Sequence, residues 1–155
     1  MTSDRPPFQR FLDRTRDDVW RFCVAAAGAN NAEDCFQETY MAALRAYPKV
    51  RSGSNLHAWV LTIAHNKAMD IHRASARRPQ TSGELPDIPV TDGHRDEDLW
   101  AQVRALPQKQ SAAILLRYVA DLPHKEVAAA LGCSEEAARR SAFEGLQKLR
   151  TEVTR

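Results

Sequence analysis

The sequence lacks any apolar run approaching the roughly 18 residues that a membrane-spanning helix needs. Its first ten residues also lack the apolar segment of a secretory signal peptide. Aromatic residues make up only 7% of the chain, but apolar residues make up 43% and charged residues 27%, which is typical of a folded helical protein. We therefore expect a cytoplasmic protein without membrane insertion.

Cysteine is scarce, and the residue types that form metal sites and catalytic centres are not clustered in the sequence. Cys23, Cys35 and Cys133 are an odd number at wide spacing, without a C-x-x-C pair. No nucleophile–base pair or glycine-rich phosphate loop is visible. We expect reduced, mostly buried cysteines, no metal site, no cofactor, no catalytic residue and no enzyme. The histidines, which show no metal-ligand spacing, are His57, His65, His72, His94 and His124.

The net charge of +2 hides an uneven distribution of charge along the chain. Residues 1–78 contain 12 Lys and Arg against 8 Asp and Glu, and residues 99–155 contain 9 against 6. Residues 79–98 contain one Arg against six acidic residues. Two basic blocks flank an acidic connector, and basic blocks are typical of nucleic-acid-binding proteins.

Proline and glycine recur among Ser, Thr and Asp in residues 79–98, where helical periodicity is absent. Such a composition cannot build a packed core, so we predict a flexible linker there. The fold class predicted is all-α: one small helical domain over residues 1–78 and a second over residues 99–155, joined by this acidic linker.

Three helices are predicted in the first block. Apolar residues from Phe8 to Ala26 recur at the spacing of one buried helical face. A second helix runs from near Asn31 to Pro48, and a third begins after residues 52–55. The second helix is expected to bury Leu44 among its apolar residues. The outward face of the third helix is expected to carry these residues: His57, Thr62, His65, Asn66, Lys67, Asp70 and Arg73.

Four helices are predicted in the second block: Leu99–Leu106, Pro107–Tyr118, Pro123–Leu131 and one from Ser134 to about Thr151. The last two have the spacing of a helix-turn-helix. A small residue at Ala128 permits close packing, Gly132 permits a left-handed turn, and Ser134 can cap the second helix. The arginines of this second helix would then contact phosphates or guanines of DNA. A helical hairpin without a nucleic-acid role remains an alternative.

The segments AEDCFQETY (residues 32–40) and LHAWVLTIAHN (residues 56–66) resemble region 2 of bacterial sigma factors of the extracytoplasmic-function (ECF) type. Residues 106–118, together with the helix-turn-helix, resemble region 4 of the same sigma-70 family. The resemblance implies a three- or four-helix bundle followed by a helix-turn-helix bundle. It also implies a protein that binds core RNA polymerase and directs promoter recognition, DNA melting and transcription initiation.

The resemblance further implies partners and site residues. The polymerase partners are the β′ clamp helices and the β flap, promoter DNA is bound by both domains, and an anti-sigma factor is a further candidate. Core polymerase would be bound by Asp34, Gln37, Glu38 and Met41. Minus-10 DNA would be bound by Arg51, Ser54, Asn55, Trp59, Asn66, Lys67 and Arg73. Minus-35 DNA would be bound by Ser134, Glu135, Glu136, Arg139, Arg140 and Phe143.

Some positions allow a second role or depart from the family pattern. Trp59 can equally be a core aromatic residue. His65 stands where the family commonly has Arg, Glu144 would repel phosphate, and Gly145 costs a helix about 1 kcal/mol relative to Ala. The alternative function is a helix-turn-helix transcription regulator that binds duplex DNA without polymerase, with residues 1–78 serving dimerisation or sensing.

Overall fold

The computed structural model of the chain describes residues 5–77 and 94–153. In these ranges every regular element is a helix, which confirms the all-α fold class. A 3-10 turn (Tyr47–Lys49) follows the second helix, and a π-helical turn (Leu115–Val119) follows the fifth. The helices are α1 (Phe8–Ala27), α2 (Ala32–Ala46), α3 (Leu56–Arg77), α4 (His94–Ala105), α5 (Gln108–Ile114), α6 (His124–Leu131) and α7 (Glu135–Val153).

The N-terminal half, residues 5–77, is a bundle in which α1, α2 and α3 each contact the other two. The predicted apolar face of α1 is buried, with Val19 and Phe22 fully inaccessible to solvent. Phe11 lies against Tyr47 and Trp59, with ring centroids 5.3 and 5.9 Å apart. Since tilted and edge-on aromatic pairs add to the free energy of burial, this cluster fixes where α3 crosses α1.

Polar groups inside this bundle are satisfied by hydrogen bonds. The Tyr40 and Thr15 hydroxyl oxygens lie 2.7 Å apart, and the Thr15 hydroxyl also bonds the carbonyl oxygen of Phe11 at 2.9 Å. Burial raises the pKa of Tyr40 to about 12, so the phenol stays protonated at neutral pH. The Tyr40 hydroxyl therefore joins α1 to α2 without bringing a charge into the core.

The C-terminal half, residues 94–153, contains the predicted helix-turn-helix in α6 and α7. Gly132 has a left-handed backbone, with φ of 68°, and the amide of Cys133 donates to the carbonyl oxygen of Ala128 at 3.1 Å, which is a Schellman-type helix end. The Ser134 hydroxyl oxygen accepts a hydrogen bond from the amide of Ala137 at 3.0 Å and so caps α7. The turn that the sequence predicts is confirmed.

Two helix boundaries differ from the prediction. Helix α4 begins at His94, five residues before the expected start at Leu99, inside the segment assigned to the linker. Helix α5 ends at Ile114, and a π-helical turn continues the predicted helix to Val119. Residues 78–93, which are most of the predicted linker, lie outside the described residues.

Gly145 allows close packing between α7 and α5. A Cβ added at this residue would lie 2.5 Å from Cδ1 of Ile114 and 3.3 Å from Cβ of Gln110. Ile114 is itself buried, so its side chain has little space into which it can move. Gly145 was expected to cost α7 helix propensity, and the structure shows that the absence of its side chain permits the two helices to approach closely.

Replacing Gly145 by Ala is expected to lower the free energy of unfolding by up to about 2 kcal/mol. The steric overlap with Ile114 costs about 1–3 kcal/mol, which outweighs the gain of about 1 kcal/mol in helix propensity. Urea denaturation measures the change. In an Ile114→Val background, which removes Cδ1, the same substitution should be neutral or stabilising. A stabilising effect of G145A in the wild-type background would contradict this packing.

Three side chains lie where the sequence did not place them. Leu44, expected to be buried, is 57% exposed, because it lies on the face of α2 that points away from α1 and α3. His65, expected on the outward face of α3, is buried, because the C-terminal half covers that part of the helix. Cys23 and Cys35 are buried as expected, but Cys133 is exposed in the turn after Gly132.

Candidate functional site

The first candidate surface is the face of α2 opposite its buried residues. Cys35, Thr39 and Tyr40 point into the bundle, so the residues between them point outward. Here this face is named the α2 ridge. It carries Asp34, Gln37 and Glu38, which are all exposed, and Met41, which is 50% exposed. All four predicted residues are therefore brought together as one acidic and polar surface with an apolar end.

Sequence reasoning missed two apolar neighbours of the α2 ridge. Trp20 on α1 is 43% exposed and packs edge-on against Phe36, with ring centroids 5.7 Å apart. Leu44 lies one turn after Met41 on α2. The available signal was the i+3 spacing of Met41 and Leu44, together with the position of Trp20 outside the apolar face of α1. Exposed large apolar residues beside a polar patch are typical of an interaction surface.

The second candidate surface runs from the loop before α3 along that helix. Arg51, Ser54 and Asn55 are exposed in the loop, Asn66 and Arg73 are exposed on α3, and Lys67 is half-buried. Since a helix rises about 1.5 Å per residue, the residues from Asn55 to Arg73 span roughly 27 Å. The predicted residues therefore form an extended track of polar and basic groups, not a compact pocket.

Three members of this track are already engaged with the protein. The Asn55 side-chain oxygen accepts a hydrogen bond from the amide of Ala58 at 3.1 Å and so caps α3. Arg73 forms an ion pair with Asp70 at 2.5 Å on the exposed face of α3. Trp59 is half-buried, with its ring centroid 6.3 Å from that of Tyr47. The structure therefore favours the core role for Trp59 that the sequence left open.

His65 lies beneath this track, not within it. It borders a cavity of about 170 Å³ between α3 and the C-terminal half, beside Met69 and Leu115. Burial lowers the pKa of His65, so the imidazole is neutral at pH 7. A neutral, covered histidine contributes no phosphate contact in this arrangement.

The third candidate surface is the N-terminal part of α7, the second helix of the helix-turn-helix. All six predicted residues here are exposed, and Phe143 is 61% exposed. Arg139 pairs with Glu135 at 2.9 Å, and Arg140 pairs with Glu136 at 3.7 Å. Exposed ion pairs of this kind are weak and screened by salt, so a nucleic acid can replace the carboxylates as partners.

Arg117 and His124 are two further residues of this surface that sequence reasoning missed. Burial lowers the pKa of His124, and the charges of Arg117 and Arg139 lower it further. In residues 5–77 and 94–153, Nε of Arg117 and Nδ1 of His124 are buried without a hydrogen-bond partner. Oε1 of Gln110 is in the same condition. Buried polar atoms are nearly always bonded, so these three atoms are exceptions within the described residues. The sequence carried no signal beyond their charge.

Other kinds of site find no support in the described residues. They contain no group of three or more His, Cys, Asp or Glu side chains that could hold a metal ion. None of their helices is both long and apolar enough to cross a membrane.

Comparison with protein families agrees with this geometry. The family model for sigma-70 region 2 matches residues 11–78, which contain the α2 ridge and the polar track of α3. The model for sigma-70 region 4 matches residues 96–149, which contain the helix-turn-helix. The chain belongs to the sigma-70 family, in its ECF group. As an ECF sigma factor it is a transcription initiation factor that acts with RNA polymerase at promoters.

Several curated ECF sigma factors are similar over most of their length. The probable RNA polymerase sigma-C factor of Mycobacterium bovis is 31% identical over 132 residues, covering 81% of this chain and 71% of that protein. The ECF RNA polymerase sigma factor SigD of Mycobacterium tuberculosis is 30% identical over 169 residues, covering 99% of this chain and 80% of that protein.

Two solved structures share the fold. The sigma factor RpoE of Bartonella quintana, in complex with the anti-sigma factor NepR, superposes with a TM-score of 0.75 at 22% identity and covers 95% of this chain and 96% of that chain. CnrH in complex with the cytosolic domain of CnrY gives a TM-score of 0.75 at 18% identity and covers 95% of this chain and 87% of that chain. At these identities the likeness concerns the fold alone.

Proposed function

We propose that the chain fastens to core RNA polymerase through the α2 ridge and reads a promoter through α3 and α7. The observation that carries this proposal is that one chain presents an exposed acidic helix face and a separate helix-turn-helix with exposed arginines. Promoter recognition by a polymerase-bound protein needs both. An enzyme does not need the exposed acidic helix face, and neither does a regulator that only binds duplex DNA.

The α2 ridge is the proposed contact with the β′ clamp helices. Asp34 and Glu38 lie one turn apart and provide negative charge, which gives specificity and fast association with a basic partner. Gln37 lies between them, and Met41 with its neighbour Leu44 supplies apolar area at one end. A partly apolar patch with charged flanks is the usual composition of a protein interface.

Helix α3 and its preceding loop are the proposed minus-10 surface. Opening a duplex requires unstacking bases, at a few kcal/mol each, and contacts to the separated strand must offset that energy. Asn66, Lys67 and Arg73 can hold the backbone of one strand, while Arg51 and Ser54 in the exposed loop are available to an extruded base. Trp59, being packed on Tyr47, supports the surface from beneath.

Helix α7 is the proposed minus-35 reader. Its N-terminal half would enter the major groove, where Arg139 and Arg140 can leave their glutamate partners for phosphates or guanine edges. Phe143 can contact a thymine methyl group. His124 is near the charges of Arg117 and Arg139, which supports the proposal that it lies close to the adjoining phosphate. The C-terminal half is also the proposed contact with the β flap.

The remaining assignments follow from this role. We propose that the chain works in the cytoplasm, where polymerase works, and that it catalyses no reaction and needs no cofactor. Residues 1–78, 79–98 and 99–155 are proposed as region 2, linker and region 4. An anti-sigma factor is a proposed regulator, because one structural neighbour, the sigma factor RpoE of Bartonella quintana, is solved in complex with the anti-sigma factor NepR.

The alternative is a regulator that binds duplex DNA without polymerase. The initiation factor and the regulator differ in whether core polymerase is needed for an effect at specific DNA sites. An initiation factor produces transcripts with defined 5′ ends only when core polymerase and the chain are both present. A regulator protects specific duplex sites by itself and adds no transcripts. Transcription from fragmented genomic DNA with purified core polymerase therefore separates them.

A further inference from the structure

A surface pocket of about 440 Å³ lies between α1 and α2. Two aromatic rings line it: Trp20, which is 43% exposed, and Phe36, which is half-buried, with ring centroids 5.7 Å apart. A volume of this size can hold a whole side chain of a partner. The pocket is referred to as the Trp20 pocket, and its lining consists of Arg16, Asp17, Trp20, Glu33, Phe36 and Gln37.

The Trp20 pocket carries two exposed carboxylates. Asp17 lies three residues before Trp20 on α1, and Glu33 lies three residues before Phe36 on α2, so each carboxylate shares a helix face with one ring. Within residues 5–77 and 94–153, neither carboxylate forms an ion pair. Arg16 supplies one positive charge against these two negative charges, so the lining is negative overall.

Aromatic rings next to carboxylates suit an arginine side chain. The flat face of a guanidinium group stacks on an aromatic ring while its edge donates hydrogen bonds to carboxylates. The ammonium group of lysine is more strongly hydrated and has no flat face to stack. An apolar side chain would take water away from the carboxylates without donating a hydrogen bond to them, which costs free energy.

The Trp20 pocket is continuous with the α2 ridge. Gln37 belongs to both, and Glu33 of the pocket is next to Asp34 of the ridge in the chain. A partner element that lies along the α2 ridge is therefore within side-chain reach of the pocket. Since the ridge is acidic, charge complementarity requires basic side chains on that element.

We propose that the Trp20 pocket binds an arginine side chain of core polymerase, from the same element that contacts the α2 ridge. The proposal rests on the proposed function, because it takes the α2 ridge as the polymerase contact. Tryptophan and arginine are enriched among the few residues that dominate the affinity of an interface once neighbouring contacts exclude water. Trp20 provides the face on which the guanidinium stacks, and Asp17 and Glu33 orient it.

Binding of full-length variants to immobilised core polymerase, measured by biolayer interferometry, tests the proposal. Trp20→Phe keeps an aromatic face and should bind within about threefold of wild type. Trp20→Leu keeps apolar area only and should bind about 5-fold to 30-fold more weakly, which corresponds to the loss of one desolvated cation–π contact. D17N/E33Q keeps the shape of the pocket without its negative charges and should bind about 10-fold more weakly.

D13N/D98N is the matched control for D17N/E33Q, because it makes the same change in net charge at two exposed carboxylates on α1 and α4. It should bind within about threefold of wild type. Trp20→Phe is the matched control for Trp20→Leu. Thermal melting followed by circular dichroism shows whether each variant keeps its helices.

Photo-crosslinking identifies the side chain that enters the pocket. With p-benzoylphenylalanine in place of Trp20, irradiation of the complex with core polymerase and mass spectrometry should give a crosslink within one helical turn of an arginine. Replacing that arginine by alanine in core polymerase should weaken binding of the wild-type chain. It should change binding of Trp20→Leu by less than about twofold, because the contact is already lost in that variant.

Binding of folded Trp20→Leu or folded D17N/E33Q as tight as that of wild type overturns the proposal, as does a crosslinked segment without arginine. Equal losses in Trp20→Phe and Trp20→Leu also overturn it, because an aromatic face would then not be what the partner requires. If D34R/E38R weakens binding while these variants do not, only the arginine pocket is contradicted. If D34R/E38R also binds as wild type does, the proposed function itself fails.

Discussion

Reversing charge at Asp34 and Glu38, as D34R/E38R, is expected to weaken binding to core polymerase by at least about 100-fold. Both carboxylates are exposed on the α2 ridge, so the change removes two attractive charges from the proposed interface and adds two repulsive ones. Like charges placed together across an interface cost several kcal/mol, and 100-fold corresponds to about 2.7 kcal/mol. Biolayer interferometry with immobilised core polymerase measures the affinity.

The matched control is D13R/D98R, which makes the same change in net charge at two exposed carboxylates on α1 and α4. It should bind within about threefold of wild type. Asp34 is in the first turn of α2, where a carboxylate favours the helix by about 0.3–1 kcal/mol, so melting curves must show that the variant is still folded. If D34R/E38R and D13R/D98R bound core polymerase with equal affinity, the proposal that the α2 ridge forms the interface would be contradicted.

Removing both arginines of α7, as R139A/R140A, is expected to weaken binding to duplex DNA by about 10-fold to 100-fold. Every phosphate that the protein ceases to neutralise reduces the slope of log affinity against log salt by about 0.9, so two should reduce it by about 1.8. Fluorescence anisotropy on a mixed-sequence duplex at several salt concentrations measures both quantities. The ion pairs with Glu135 and Glu136 are exposed, so their removal should change stability little.

Arg10→Ala with Arg14→Ala is the control for charge alone, because both residues are exposed on α1. This control should keep the salt slope of wild type. If R139A/R140A also kept that slope, α7 would not be the helix that meets the phosphate backbone.

The parts of the fold that depend on local residue patterns could be predicted from the sequence. The buried face of α1 follows from apolar spacing alone. The turn after α6 follows from Gly132 and Ser134, because few residues accept a left-handed backbone or cap a helix. The α2 ridge follows equally well, since one turn of helix places Asp34, Gln37 and Glu38 on a common face.

The features that could not be predicted depend on contacts between distant segments. His65 was expected on the outward face of α3, but it lies one turn after the buried Leu61, and residues of the C-terminal half such as Leu115 line the cavity beside it. From the sequence, Gly145 shows only its low helix propensity, and its packing role is visible only once the position of Ile114 is known. Arg104 resembles any other surface cation, because nothing local shows that it reaches the end of α1. In each case the partner lies dozens of residues away.

This ECF sigma factor is expected to enable core polymerase to start transcription at defined sites. The most direct measurement is multiple-round transcription of fragmented genomic DNA by purified core polymerase from the same organism, with RNA 5′ ends mapped by sequencing. Adding the chain should create a reproducible set of new 5′ ends that share sequence motifs upstream, and adding D34R/E38R should not. If wild type creates no new ends, or if they appear equally with D34R/E38R, the proposed function is contradicted.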